Sequence, residues 1–189
     1  MAKLSVGEKM PNLVFNTAHE SNKTVETVIG EKKRTVFALL RFIGCTSCRY
    51  DIHLLAGRYQ EFLDLDTQVY IVLQSEPANV REDLKNTKLP FDIICDADME
   101  FYQRLDIPVA PCREERMPND PVGIAKLEER KQKIKEIGFV HGKNEGKSQQ
   151  LPALFVVEQD GTVSYAHYAK NSVDMPSVNE MLKIIQADS

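Results

Sequence analysis

The run from Thr35 to Ile43, Thr-Val-Phe-Ala-Leu-Leu-Arg-Phe-Ile, carries apolar side chains on both parities. A strand with one wet face alternates polar and apolar residues. This one has no polar face, so it has to be covered on both sides, as in the interior of a mainly parallel sheet. Gly44-Cys45-Thr46-Ser47-Cys48 follows at once, and then Ile52, Leu55, Ala56, Tyr59, Phe62 and Leu63 recur at helical spacing with Arg49, Asp51, Arg58, Gln60 and Glu61 between them. Gln68 to Leu73 reads as a second buried strand. Parallel strands need a long crossover, and strand, helix, strand in that order supplies one. The expected class is therefore α/β.

The rest of the chain arranges itself around that unit. Leu4 to Thr17, with Gly7 and Pro11, suits a peripheral strand or hairpin, and Ala78 to Asn86 a helix. Phe91 to Cys95 suits a short strand and Met99 to Leu105 a helical turn or two. Pro108, Pro111, Pro118 and Pro121 then punctuate a loop, ahead of a charged helix from about Ile124 to Ile137. This segment reads as a surface insertion, followed by a flexible stretch from His141 to Ser148. Leu154 to Val157, a turn at Gln159-Asp160-Gly161, and Thr162 to Tyr168 form a β-hairpin, and Met175-Pro176-Ser177 opens a closing helix. No internal repeat interrupts the sequence, and its 189 residues fit a single domain, 1–189.

Charge excludes some partners. With 24 basic against 28 acidic residues and a net charge of −4, the chain shows no basic footprint for nucleic acid or an anionic membrane. It has neither a signal-peptide core among the first residues nor an apolar run of ~18, which leads to the expectation of a soluble, cytoplasmic protein. Four cysteines are too few for a secreted disulfide scaffold, so the Cys45-x-x-Cys48 pair points to chemistry or metal binding.

The chemistry follows from where that pair sits. Unpaired N–H groups and the positive end of the dipole stabilise negative charge at a helix start, which lowers a thiol pKa from ~8.5 toward neutrality. A spacing of three sets both sulfurs on one side of the first turn, with Cα atoms inside the ~4.4–6.8 Å window of a disulfide. Cys45, nearer the loop, is the expected attacking thiol, and Cys48, one turn inward, the resolving one. Arg41 and Arg49 flank the pair as sources of positive potential, and Thr46 or Ser47 as hydroxyl donors or caps. Two plainer readings stand beside this one: a structural zinc site completed by Cys95 and Cys112, or unreactive buried thiols. His19, His53, His141 and His167 form no i, i+4 pair, and none is assigned to catalysis.

Several stretches together resemble the alkyl hydroperoxide reductase and thiol-specific antioxidant (AhpC/TSA) superfamily. They are Gly7-x-x-x-Pro11, Val36 to Ile43, Gly44 to Cys48, Ile94-Cys95-Asp96-Ala97-Asp98, and Leu151-Pro152-Ala153-Leu154-Phe155-Val156-Val157 with Asp160-Gly161. The resemblance implies a thioredoxin-like fold, a central mixed sheet of four or five strands flanked by helices. It also implies a peroxiredoxin-type amino-terminal extension and an insertion before a cis-Pro strand. By it, Pro152 would be cis, and Gly44, Thr46, Ser47, Leu151 and Pro152 would hold the substrate beside Cys45. No cofactor is implied. The partners would be a protein disulfide or hydroperoxide and an external thiol reductant, and many members of the superfamily pair into homodimers.

The sequence also departs from that pattern. Peroxidatic members place Pro and Thr or Ser seven and three positions before the reactive Cys, where this chain has Ala38 and Phe42, counting from Cys45. The family's activating Arg lies where this chain reads Leu151-Pro152-Ala153. With those hydrogen-bond donors missing, the sequence favours thiol–disulfide exchange over peroxide reduction. The peroxidase is the first alternative, and a non-enzymatic binding or zinc-holding protein the second.

Overall fold

The computed structural model describes residues 2–187, so Met1, Asp188 and Ser189 of the expected domain lie outside the described residues. The strands are β1 (Val14–Thr17), β2 (Lys23–Thr24), β3 (Arg34–Leu39), β4 (Thr67–Leu73), β5 (Ile93–Cys95), β6 (Ala153–Glu158) and β7 (Val163–Tyr168). The helices are α1 (Val25–Ile29), α2 (Thr46–Gly57), α3 (Tyr59–Leu63), α4 (Pro77–Asp83), α5 (Glu100–Arg104), α6 (Arg113–Arg116), α7 (Pro121–Ile137) and α8 (Val178–Ala187). The α/β class expected from the hydrophobic patterning is present, with the mixed sheet that the resemblance implied.

Among the described residues the sheet has seven strands, in the order β2-β1-β5-β4-β3-β6-β7, where four or five were expected. The excess comes from the amino-terminal extension: β1 pairs antiparallel with both β2 and β5 and so joins the main sheet instead of standing apart from it. β3, β4 and β5 run parallel, and the hairpin β6–β7 closes the other side antiparallel to β3. Every residue of β3 and β4 is buried, as a strand without a polar face demands.

The alternation of β3 sorts the core into two layers. Val36 and Ala38 face a cluster with Ile52 and Leu55 of α2, Phe62 of α3, and Met181, Leu182 and Ile185 of α8. Phe37 and Leu39 face the other cluster, with Val25, Val28 and Ile29 of α1 and Phe101 and Tyr102 of α5. Cys45 and Cys48 belong to the first layer. The helix carrying the dithiol is thus held by apolar contacts along its length, and its amino-terminal end is aimed at the carboxyl end of β3.

Three expectations need correction. The Leu151–Pro152 peptide is trans, since the described residues contain no cis bond; trans is the ordinary state of an X-Pro bond, and nothing but the resemblance favoured the other isomer. The 141–148 stretch is not loose: Gly142 N–H donates to Gly44 O at 2.8 Å, Lys147 N–H to Gln74 Oε1 at 2.9 Å, and Asn79 Nδ2 to Glu145 Oε1 at 2.6 Å. The charged helix begins at Pro121, three residues earlier than its apolar spacing suggested, because Asp120 caps it by accepting from Gly123 N–H and Pro121 supplies the first helical φ. It ends at Gly138, whose φ of 88° only glycine adopts without strain.

Candidate active site

The site grows out of the end of β3. Leu40 N–H still donates to Val72 O at 3.0 Å, after which the chain turns so that Cys45 N–H reaches Phe42 O at 3.1 Å. Gly44 lies directly under the 142–143 backbone, where a Cβ would meet the carbonyl oxygen of Lys143 and come within 2.8 Å of the Gly142 carbonyl carbon. Glycine is needed there for close approach. Gly44 is buried there and is not on the cavity wall.

Cys45 is the N-cap of α2, with extended backbone, and its sulfur accepts the Cys48 N–H at 3.3 Å. Two further donors converge on it: the Cys48 thiol at 2.7 Å and Arg41 Nη2 at 3.1 Å. Both cysteines are free thiols, and Cys45 is only 1 % exposed. The hydrogen bond from Cys48 lowers the Cys45 pKa, and the Arg41 charge and the Cys48 N–H add to it against the opposing effect of burial, bringing it to about 6. Cys48 moves the other way: burial raises it well above the usual thiol range, and its hydrogen bond to Cys45 and that sulfur's charge raise it further. One sulfur is thus the anion and the other the proton donor, a division of labour made by position alone.

Arg41 is fixed by its other contacts. Its Nη1 donates to Ser148 O at 2.6 Å, its guanidinium lies 5.0 Å from the Phe42 ring centroid, and its backbone N–H reaches Cys48 Sγ at 3.4 Å. The ordered 141–148 stretch is therefore part of the site. A second arginine, Arg116 of α6, is buried beside it, with Nε donating to Gln149 Oε1 at 2.8 Å. Burial lowers its pKa and the neighbouring Arg41 charge lowers it further, so two guanidinium groups share one small space.

That space is a cavity of about 30 Å³ whose walls include Arg41, Cys45, Cys48, Arg116, Gln150 and Pro152. Ser47 and Asp51 line it too, tied together by Arg130 of α7, whose Nη2 reaches Ser47 O at 3.1 Å, Ser47 Oγ at 3.0 Å and Asp51 Oδ1 at 2.8 Å. The insertion helix thus clamps the first turn of the helix that holds the dithiol. Across the shared walls of Leu40, Asp51 and Ser172 lies a larger cavity, about 490 Å³, between α2, α7 and the approach to α8.

Of the residues expected to hold substrate, Ser47 and Pro152 border the cavity and Gly44, Thr46 and Leu151 do not. Arg49 turns away, 4.9 Å from the Phe139 ring centroid. Cys95 is buried, which pushes its thiol up to about 12, and Cys112 stands in the 108–118 loop with its sulfur 3.9 Å from Glu115. Among the described residues no three His, Cys, Asp or Glu side chains gather as metal ligands, so the sulfurs of the zinc reading do not converge. No helix among them is long and apolar enough to cross a membrane. The residues that sequence reasoning missed are Arg116, Arg130, Gln150 and the Ser148 carbonyl. Each comes from the insertion or its edges, where no local pattern points at Cys45.

A thioredoxin-like sheet carrying an ionised, hydrogen-bonded cysteine at the cap of its central helix defines a thiol-dependent oxidoreductase. The chain belongs to the AhpC/TSA family, whose model matches residues 6–166. Solved structures agree on the fold. Peroxidoxin BcpB from Mycobacterium tuberculosis superposes with a TM-score of 0.69 at 10 % identity, covering 97 % of both chains. A cysteine-to-serine mutant of peroxiredoxin 6 from Arenicola marina gives 0.71 at 12 % identity, over 97 % of this chain and 72 % of that one. Reduced 2-Cys peroxiredoxin from Plasmodium vivax gives 0.67 at 14 %, over 97 % and 95 %. No curated protein matches the chain in sequence.

Proposed function

We propose that the protein is a thiol-dependent peroxidase in which Cys45 attacks a hydroperoxide and Cys48 resolves the product. The observation that carries this reading is the confinement of the Cys45 sulfur: 1 % exposed, in contact with Arg41, at a cavity of about 30 Å³. Such a volume holds about two waters or one hydrogen peroxide. A protein disulfide has to bring its flanking chain along with the sulfur that the thiolate attacks, and this pocket has no room for that chain. The donors whose absence spoke against a peroxidase are supplied from elsewhere, by Arg41 at the end of β3 and Arg116 of the insertion.

In the first step the Cys45 thiolate attacks the terminal oxygen of ROOH. An S–O bond forms, the O–O bond breaks, Cys45 becomes a sulfenic acid, and RO⁻ leaves to take a proton from solvent. The two guanidinium groups stabilise the charge that moves onto the leaving oxygen. This step also activates the next one: once Cys45 has lost its charge, the Coulomb and hydrogen-bond contributions that held the Cys48 proton disappear. Cys48 then attacks the sulfenic sulfur, releasing water and leaving a Cys45–Cys48 disulfide. An external thiol pair reduces that bridge and is itself oxidised, so the balance is ROOH plus two thiols to ROH, water and a disulfide.

Stopped-flow mixing of reduced protein with hydrogen peroxide and, separately, with an oxidised protein disulfide decides the substrate. Peroxide is expected to consume Cys45 faster by orders of magnitude, and Cys48→Ser to accumulate a sulfenic acid that dimedone traps. Faster reaction with the disulfide would return the function to thiol–disulfide exchange.

A further inference from the structure

Gln150 lies just before β6 and is 1 % exposed. Its Nε2 donates to the carbonyl oxygens of Pro108 at 3.0 Å, Leu151 at 3.2 Å and Ile107 at 3.4 Å. These three acceptors fix the amide's orientation, because a flipped group would set its oxygen against three carbonyl oxygens. The Oε1 atom that remains is buried and has no hydrogen-bond partner. A buried acceptor without a donor is costly, and in native proteins such an atom calls for an explanation. Gln150 lines the Cys45 cavity, which supplies one.

The groups that touch the reactive sulfur are donors, and of the other polar groups on the cavity wall Asp51 and the Ser47 hydroxyl already accept from Arg130 while the Ser172 hydroxyl donates to Met117 Sδ. Arg41, the Cys48 N–H and the Cys48 thiol all donate to the Cys45 sulfur, and Arg116, with five N–H groups and no acceptor, faces the same space. A hydroperoxide brings two oxygens that can accept from such groups and one O–H that has to donate. The family's hydroxyl residue, three positions before the reactive cysteine, is replaced here by Phe42. We propose that Gln150 Oε1 accepts the hydrogen bond of the substrate O–H and thereby points the terminal oxygen at the Cys45 sulfur. This makes Gln150 a catalytic residue that touches the reacting group, and it restricts the substrate to hydroperoxides, ROOH, that retain that hydrogen. The bond it makes is carried through the reaction unchanged: the O–H oxygen is the one transferred to sulfur, and the hydrogen travels with it. The inference rests on the peroxidase reading and adds the orienting acceptor to it.

The test compares two oxidants of the same thiolate. Hydrogen peroxide has the O–H, whereas methyl methanethiosulfonate modifies thiolates and has no hydrogen to donate. The ratio of their rate constants at Cys45, followed by mass spectrometry of the Cys45 peptide, cancels any change in thiolate fraction. Gln150→Met is expected to lower this ratio about tenfold or more, the scale on which removal of a transition-state hydrogen bond acts. Gln150→Asn, which keeps the amide but draws its oxygen back by one methylene, is expected to lower it too and serves if the Met variant does not fold. An unchanged ratio in a folded variant, whether both rates fall together or neither falls, overturns the assignment and leaves Gln150 a strut for the 107–109 loop. Slow reaction of the unsubstituted protein with peroxide would instead remove the peroxidase reading, and this inference with it.

Discussion

Replacing Arg41 by Met removes the one formal positive charge that, among the described residues, touches the reactive sulfur, and leaves the stem of the side chain in place. At the observed separation of 3.1 Å, the pair interacts across a partly buried site. With an effective dielectric of about 20, charges ~4 Å apart attract by about 4 kcal/mol, and at about 1.4 kcal/mol per pH unit this caps the effect near three units. Part of that attraction is already offset by the desolvation of the guanidinium, so a rise of about one to three pH units is expected. Cys45 then ionises between about 7 and 9 instead of at about 6. At neutral pH the thiolate changes from the dominant form to between half and a hundredth of the molecules. The peroxide rate falls by at least that factor, and further for the lost donor to the leaving oxygen. Ultraviolet thiolate absorbance titrated against pH, in a background where Cys112 is Ser, reports the midpoint. An Arg41→Met midpoint that stays where the parent's lies would show that the Cys48 thiol and the helix N-terminus hold the charge unaided, and the electrostatic account of the site would fail.

Three further outcomes follow from the same geometry. Because Cys45 is depressed to about 6 in the folded protein, its ionisation stabilises the fold in full above the unfolded thiol pKa of ~8.5 and loses that contribution as pH falls through 6. The melting-temperature advantage of the parent over Cys45→Ala should shrink on acidification across that window, and an advantage that grows would reverse the sign. Arg130→Met strips the half-buried Asp51 of its partner and unclamps Ser47, at a cost of about 1–3 kcal/mol in urea denaturation. Adding Asp51→Asn should recover part of that loss, since it removes the uncompensated charge. Gly44→Ala forces the 142–143 backbone away, costing about 1–3 kcal/mol and exposing the 141–148 stretch to proteolysis; an unchanged cleavage pattern would mean that the stretch is held elsewhere.

The reading from sequence succeeded where information is local. A strand apolar on both parities had to lie inside a covered sheet, and Cys45 and Cys48 in sequence register with the following helix had to share its first turn. The hairpin at Asp160-Gly161 was legible for the same reason, since Gly161 adopts φ 87° in the turn. What failed needed contacts across long stretches of chain. Phe42 stands where the family has its hydroxyl and Leu151-Pro152-Ala153 where it has its arginine, and neither position reveals donors that arrive from other parts of the chain. Arg116 arrives from 71 positions further on in the sequence, in a Pro-rich loop that resembles any surface insertion. Arg41 was visible, but its rotamer depends on Ser148 O, 107 residues away.

The amino-acid sequence by itself determined the class of chemistry, because periodicity and spacing act over one or two turns and place two thiols at the mouth of a helix. Only the tertiary structure set the space and the charges around them. The size of the space above Cys45, the number of guanidinium groups facing it and the presence of an unpaired acceptor are set by segments that meet nowhere but in the folded molecule. Confinement and electrostatic focusing depend on distance through space, and distance along the chain does not encode it.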